Sequence, residues 1–465
     1  MASLSRQLAR WVAALTYADL PPVVIDRAKG VTLQSLSSIL IGAQTKPGRD
    51  AVRLMADEEA GVKRGATILV SGEKVTKGGA VFANSEMAFA GGKWDTFRML
   101  MHPGTSVPPC ALAAAEETGA SGQEFITALA AGYEVMERLA ADFIPTLAAR
   151  GFHASPVFGI FGGAVAAAKI FKANEDELNS TIALCASLAS GNLEGARSGG
   201  RALREGAAVR NAMLAVALAR GGHVGGETVL EGDAGFYHAY VGNNQGKLIY
   251  SFVGDTHARL DKITEKLGQE WIFLETLYRI YSISGYNIAH IDVTAKLCAD
   301  NNIQPKDIDR IEAVVNWLET QYPSPAFAVR REDTNKKAGS TAYHIAYAAI
   351  KRGFPMLNEW APQTAGKDDP PEVLELTQRV TIIPSATMTL FGPRITIFTR
   401  DGKSYTSQGT GREFIWDFEE QARRIRGIDA GLPIPVAQYE KIIETCRRLD
   451  QQPRADALVK LMVKQ

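Results

Sequence analysis

Over about the first 260 residues, apolar side chains return every three to four positions and almost never alternate, a rhythm that commits this part of the chain to helices. Leu4, Leu8, Trp11, Val12 and Leu15 share one helical face. Pro21 and Pro22 open a segment to Gly42 with Val24, Ala28, Val31, Leu36 and Ile39 apolar, and proline is well placed at a helix start. Ser121 with Glu124 three residues on predicts a capping box and a helix to about Asp142. Val107–Glu117, Glu175–Ala189 and Glu205–Arg220 continue the pattern. Gly159, Gly162 and Gly163 interrupt the helix after Ser155, at a cost of about 1 kcal/mol each against alanine. A closely crossing helix would offset that cost; a flat floor for a ligand is the alternative. The segment Ala66–Val70 is an exception and predicts a small hairpin.

The rhythm changes near Lys262–Glu275. Ile291–Ala299 reads as helix, Ile311–Trp317 as strand, and Ser340–Arg352 as helix with Gly353 as its cap. Two β-branched runs start at Arg379 and Arg394, and the second ends in an Asp401-Gly402 hairpin turn. Helical patterning resumes from Trp416. The expected fold is mainly α: an all-α domain over 1–265, an inserted α+β lid domain over 266–410, and helices over 411–465 returning to the first domain. Ala361–Pro371 is the expected exposed loop.

Charge narrows the functions. Lys plus Arg balance Asp plus Glu, 51 against 51, so no global field draws nucleic acid or an acidic membrane. Cys110, Cys185, Cys298 and Cys446 lie far apart with no C-x-x-C pair, which predicts neither a metal nor a cluster site and fits a reducing cytosol. Arg6, Arg10 and Asp19 interrupt the apolar run near the start, so no secretory signal is expected, and no stretch approaches a membrane span. The expected setting is cytoplasmic.

Polar clusters stand at the mouths of the helical runs, where free N–H groups attract anions. His102 lies in the turn feeding one alanine-rich helix, and His153 just ahead of another. Each suits a general acid or base, or a surface or capping role. They lack the i, i+4 spacing of a zinc pair. Arg197, Arg201, Arg204 and Arg210 with Gly199 and Gly200 form a basic loop running into a helix. Arginine forks grip carboxylates, although pairing with Glu194 and Glu205 is equally open. Tyr281, Ser284, Tyr286, Asn287 and His290 crowd the start of a later helix, for chemistry or for packing. His344 sits within another helix; His223, His238 and His257 read as structural.

The order of these pieces resembles the MmgE/PrpD family of methylcitrate dehydratases, cis-aconitate decarboxylases and iminodisuccinate epimerases. The matching runs are FAN from Phe82, HPGTSVPP from His102, GFHASPVFG from Gly151, GAAVRN from Gly206, VLEGDAGF from Val229, SGYN from Ser284 and the Arg394–Gly402 hairpin. The resemblance implies a large helical domain, a smaller lid, a cleft between them, a homodimer and no cofactor. Departures are as informative. The family's histidine and acidic cluster after Asn84 read here as Phe89, Gly92, Trp94 and Asp95, so only the last acid survives. Its lysine falls on Arg201 and its next histidine on Arg204. The histidine after SGYN falls on Ile288, with His290 two positions on, and a lid tyrosine falls on His344.

The resulting expectation is a cofactor-independent lyase, a dehydratase or decarboxylase, acting on a small di- or tricarboxylate by α-proton abstraction. His102 and His153 are the expected acid–base pair, with Tyr286 and His290 closing from the lid. Arg201, Arg204, Asp95 and His344 are the expected substrate-binding residues. An epimerase of a substituted dicarboxylate and a non-catalytic ligand-binding relative are the alternatives. The expected partners are a small anionic metabolite and a second copy of the chain, with neither nucleic acid nor membrane.

Overall fold

A computed structural model describes residues 2–62, 65–194, 203–281, 283–327, 336–337, 339–354 and 370–464. The chain divides into two compact units: Met1–Leu248 with His257–Ile280 and Trp416–Gln465, and Ile249–Thr256 with Tyr281–Ile415. The architecture is mainly α, with a smaller α+β part.

The first unit begins with α1 (Leu4–Ala14), α2 (Pro22–Gly42), α3 (Lys46–Glu59), the hairpin strands β1 (Ala66–Thr67) and β2 (Lys74–Val75), and α4 (Lys77–Ala90). Then come β3 (Asp95–Thr96), α5 (Val107–Thr118), α6 (Gly122–Ala140), α7 (Ile144–Ala149), α8 (Ala154–Ile170), α9 (Glu175–Leu188), α10 (Arg204–Arg220) and α11 (Phe236–Val241). The strand β4 (Leu277–Tyr278) pairs antiparallel with β3, Asp95 opposite Tyr278. Ser121 and Glu124 form the expected capping box, and left-handed Gly119 ends the preceding helix.

Close packing explains the glycines of α8. A Cβ on Gly162 would lie 2.9 Å from Val107 and 3.0 Å from Met136, and one on Gly163 would lie 2.8 Å from the Cys110 sulfur. Helices α5 and α6 therefore cross α8 at backbone distance. Among the described residues no helix is long and apolar enough to cross a membrane.

In the second unit, α12 (Gly285–Asp300), β5 (Ile308–Asn316), α13 (Thr341–Lys351), α14 (Pro371–Thr377), β6 (Val380–Ser385), β7 (Arg394–Thr399) and β8 (Ser404–Gln408) follow in order. The sheet order is β6-β5-β7-β8, with β5–β6 parallel and the other pairs antiparallel. The alternating inward residues of β5, including Ile311, Ala313 and Val315, pack with Leu297 of α12 and Ile345 and Ala349 of α13. One local expectation is corrected. The left-handed cap of α13 is Arg352 (φ 60), not Gly353, and its guanidinium donates to the Ala349 and Ile303 carbonyls. Those bonds offset the strain of a Cβ in that conformation. Residues 361–369 of the expected loop lie outside the described residues, and Pro371 already starts a helix.

Three helices end the chain: α15 (Phe418–Ile425), α16 (Val436–Arg447) and α17 (Ala457–Met462). They belong to the first unit, and α15 and α16 bond to α2 through Gln421 to Gln34 and Tyr439 to Ser37.

Candidate active site

Helix α4 stops at Gly91 and left-handed Gly92 (φ 70). A Cβ on Gly91 would sit 1.9 Å from the Ser38 carbonyl oxygen, so the chain leaves the helix against bare backbone of α2. Trp94 then folds back, its indole N–H donating to the Phe89 carbonyl (2.8 Å), and its ring stacks on Phe89 at 4.8 Å. The two aromatics thus occupy positions that read as a histidine and an acid in the resembling family. The Arg279 guanidinium lies 4.5 Å from the Trp94 ring centre. The Trp94 ring also meets the imidazole of His102, centre to centre 4.3 Å.

Asp95 holds the turn that carries His102. The Gly104 amide donates to Asp95 Oδ1 (2.8 Å), and the Tyr133 hydroxyl donates to Oδ2. A Cβ on Gly104 would lie 2.9 Å from both carboxyl oxygens, so a glycine is required for this grip. Burial pushes the Asp95 carboxyl up to about 6, against the pull of its two hydrogen bonds. The backbone carbonyl of Asp95 lies 3.1 Å from His102 Nδ1, with the Thr96 hydroxyl at 3.3 Å. A carbonyl can only accept, so Nδ1 carries the proton in this contact, and a neutral ring would have its lone pair on Nε2.

The second histidine is set by a loop pairing. Phe152 bridges to Asn192, the His153 amide donates to the Gly191 carbonyl (3.1 Å), and Leu193 donates to Gly151 (2.7 Å). Gly191 (φ 117) passes 2.6 Å from Pro156 where its Cβ would be. His153 therefore sits at the mouth of α8, where its Nδ1 faces Glu205 Oε1 at 4.0 Å.

One hydroxyl links the His102 backbone to Glu205. The His102 amide donates to Ser155 Oγ (3.3 Å), and Ser155 donates in turn to Glu205 Oε2 (3.0 Å), which Thr105 also approaches (3.4 Å). Glu205 stands in the first turn of α10, where a negative charge is favoured. Beside it, the Gly206 amide donates to Glu86 Oε1 (2.7 Å). Burial, and after it the neighbouring Glu205 charge, hold Glu86 well above the usual carboxylate range despite that bond.

The first unit thus gathers His102, His153, Asp95 and Arg204, whose Nη1 donates to the Asn192 carbonyl (3.2 Å). Arg201 lies outside the described residues. Tyr286, His290 and His344 belong to the second unit. There His290 is fully buried, with Nδ1 3.2 Å from Asn287 Oδ1 and Nε2 3.0 Å from Glu319 Oε2. Tyr286 packs at 6.1 Å from the His290 ring and 5.9 Å from Tyr322, and His344 packs against Tyr343 on α13. Sequence reasoning passed over Ser155, Glu86 and the contact of Glu205 with His153. The one available signal was charge inside apolar helical runs: Glu86 lies between Phe82 and Phe89, where a solvated carboxylate has no place.

Residues 6–248 match the MmgE/PrpD N-terminal domain. A cis-aconitate decarboxylase-like protein, oryM, of Aspergillus oryzae is 23% identical over 86% of this chain and 85% of its own length. A cis-aconitate decarboxylase of Aspergillus terreus is 26% identical over 63% of this chain, and this chain spans 60% of that relative. With more than half of its length matched and its motifs in the family order, this chain belongs to the MmgE/PrpD family.

Proposed function

We propose that the protein is a lyase of the dehydratase or decarboxylase type, acting on a small di- or tricarboxylate without a cofactor. Family membership and the relatives named as cis-aconitate decarboxylases support the reaction class. The observation that carries the residue roles is the 3.1 Å contact of His102 Nδ1 with the Asp95 carbonyl. With Nδ1 on the Asp95 carbonyl, its Nε2 is a base of the right type to take a proton α to a carboxylate. His153, next to a carboxylate, is the matching proton donor. In an elimination, His102 takes the α proton, the C–H electron pair becomes the double bond, and the leaving hydroxide departs as water with the proton of His153. In a decarboxylation, the electron pair of the broken C–CO2 bond takes up a proton from the same acid. Arg204 and Arg201 are the carboxylate ligands in this reading, because an arginine stays charged and stabilises a dianionic intermediate without shuttling protons. Asp95 is reassigned from substrate binding to holding the His102 turn, since both its oxygens already accept protein hydrogen bonds.

The test is a panel of di- and tricarboxylates in deuterated buffer, read by NMR for exchange at the α carbon and by mass for loss of water or CO2. The expected result is turnover by the wild type and a loss of about 100-fold or more in H102A and in H153A. Exchange unchanged in both variants removes the role assignment. Ligand-induced thermal stabilisation without turnover across the panel identifies a binding protein instead.

A further inference from the structure

Two carboxyl groups share the corner between α4 and α10. Glu86 reaches it from α4 and Glu205 from the first turn of α10, and Glu86 accepts the amide of the residue that follows Glu205. Neither belongs to the runs that carry the family resemblance, and both are 2% exposed or less. Two buried carboxylates in such proximity do not both ionise, because each raises the cost of charging the other. Glu86 is the one whose carboxyl burial and the neighbouring Glu205 charge push well above the usual carboxylate range. Glu205 accepts from Ser155 and is approached by Thr105, and it lies at a helix start, all of which favour the charged form. The negative charge therefore stays on Glu205, 4.0 Å from the His153 ring.

We propose that Glu205 is a positioning residue for both histidines: it keeps His153 as an imidazolium, the proton donor, and through Ser155 it fixes the turn that presents His102, the proton acceptor. The two rings become different by the groups they meet. His153 meets a carboxylate, and His102 meets the neutral Asp95 carbonyl. Two titratable groups with opposed environments are what an acid–base pair requires. Arg204 is held on the Asn192 carbonyl, Arg210 pairs with Glu59 at 2.6 Å, and the Asp95 carboxyl is enclosed by Gly104 and Tyr133. The catalytic consequence rests on the function proposed above, whereas the charge state of His153 does not.

The experiment is a long-range 1H–15N correlation spectrum of the full chain, labelled with 15N-histidine, at neutral pH. Loss of signals in H102Q and H153Q assigns the two rings. The expected wild-type pattern is an imidazolium for His153 and a neutral Nδ1-protonated ring for His102. E205Q is expected to convert His153 to a neutral ring, and E86Q to leave it charged. A neutral His153 in the wild type overturns the proposal, as does an imidazolium that survives E205Q or is lost in E86Q. Should E205Q fail to fold, the wild-type and E86Q spectra still decide the matter. An inactive protein with the expected spectra would refute the lyase reading and leave this pair standing.

Discussion

Asp95 shows how one side chain couples the candidate site to stability. Its folded pKa, about 6, lies above the ordinary value of 3.8, so between these values the folded state binds more protons than the unfolded state. Stability from this group is therefore full below pH ~4 and is lost as pH rises through ~6, the reverse of a salt-bridged aspartate. A displacement of about two pH units corresponds to about 3 kcal/mol. Asparagine can still accept from Gly104 and can donate to the Tyr133 oxygen. D95N is thus expected to be more stable than the wild type at pH 8 and less pH-dependent between pH ~4 and ~7, as read by urea denaturation. An unchanged difference between the two proteins across that range would mean that burial does not perturb this carboxyl. Gly104 belongs to the same grip. G104A places a Cβ 2.9 Å from both Asp95 oxygens. The expected loss is about 1–3 kcal/mol, together with loss of the Nδ1-protonated signature of His102.

Between α8 and its neighbours, two opposing terms can be weighed. Replacing a helical glycine by alanine gains about 1 kcal/mol of propensity. At Gly162 the new methyl would meet Val107 at 2.9 Å and Met136 at 3.0 Å. Overpacking of this kind costs about 1–3 kcal/mol. G162A is therefore expected to be destabilised by up to about 2 kcal/mol in thermal melts, because the crossing helices cannot yield without moving their backbones. Truncating the neighbour should return much of that loss, so the V107A/G162A double variant should fall short of the summed penalties. Additive penalties would show that the glycines are not there for contact. The second unit illustrates the opposite case. Left-handed Arg352 ends α13 because its own guanidinium reaches two carbonyls, a compensation that turn statistics favouring glycine do not contain.

For the whole molecule, the family assignment carries an expectation of two copies per particle. Light scattering on the full chain should then report twice the chain mass, and a single-chain mass at micromolar concentration would remove that expectation. Under the proposed function, balanced charge, 51 against 51, leaves recognition of an anionic substrate to local groups. Salt should therefore weaken any carboxylate binding only modestly compared with a protein that steers its ligand by net charge.

Much of this was legible in one dimension because it is local. Helical periodicity, the Ser121–Glu124 box, the Asp401-Gly402 turn and the β-branched strands depend on neighbours within a few residues, where backbone sterics and amphipathicity act. Motif order also led to the family, and the positions of His102 and His153 ahead of alanine-rich runs marked them as candidates. What joins those histidines could not be read that way. Ser155 is 50 residues from Glu205, and Glu86 is 120 residues from Gly206. Only the crossing of α4, α8 and α10 brings their polar atoms within bonding reach. The charge of a buried carboxyl follows from what surrounds it in space, and a linear pattern does not carry that information.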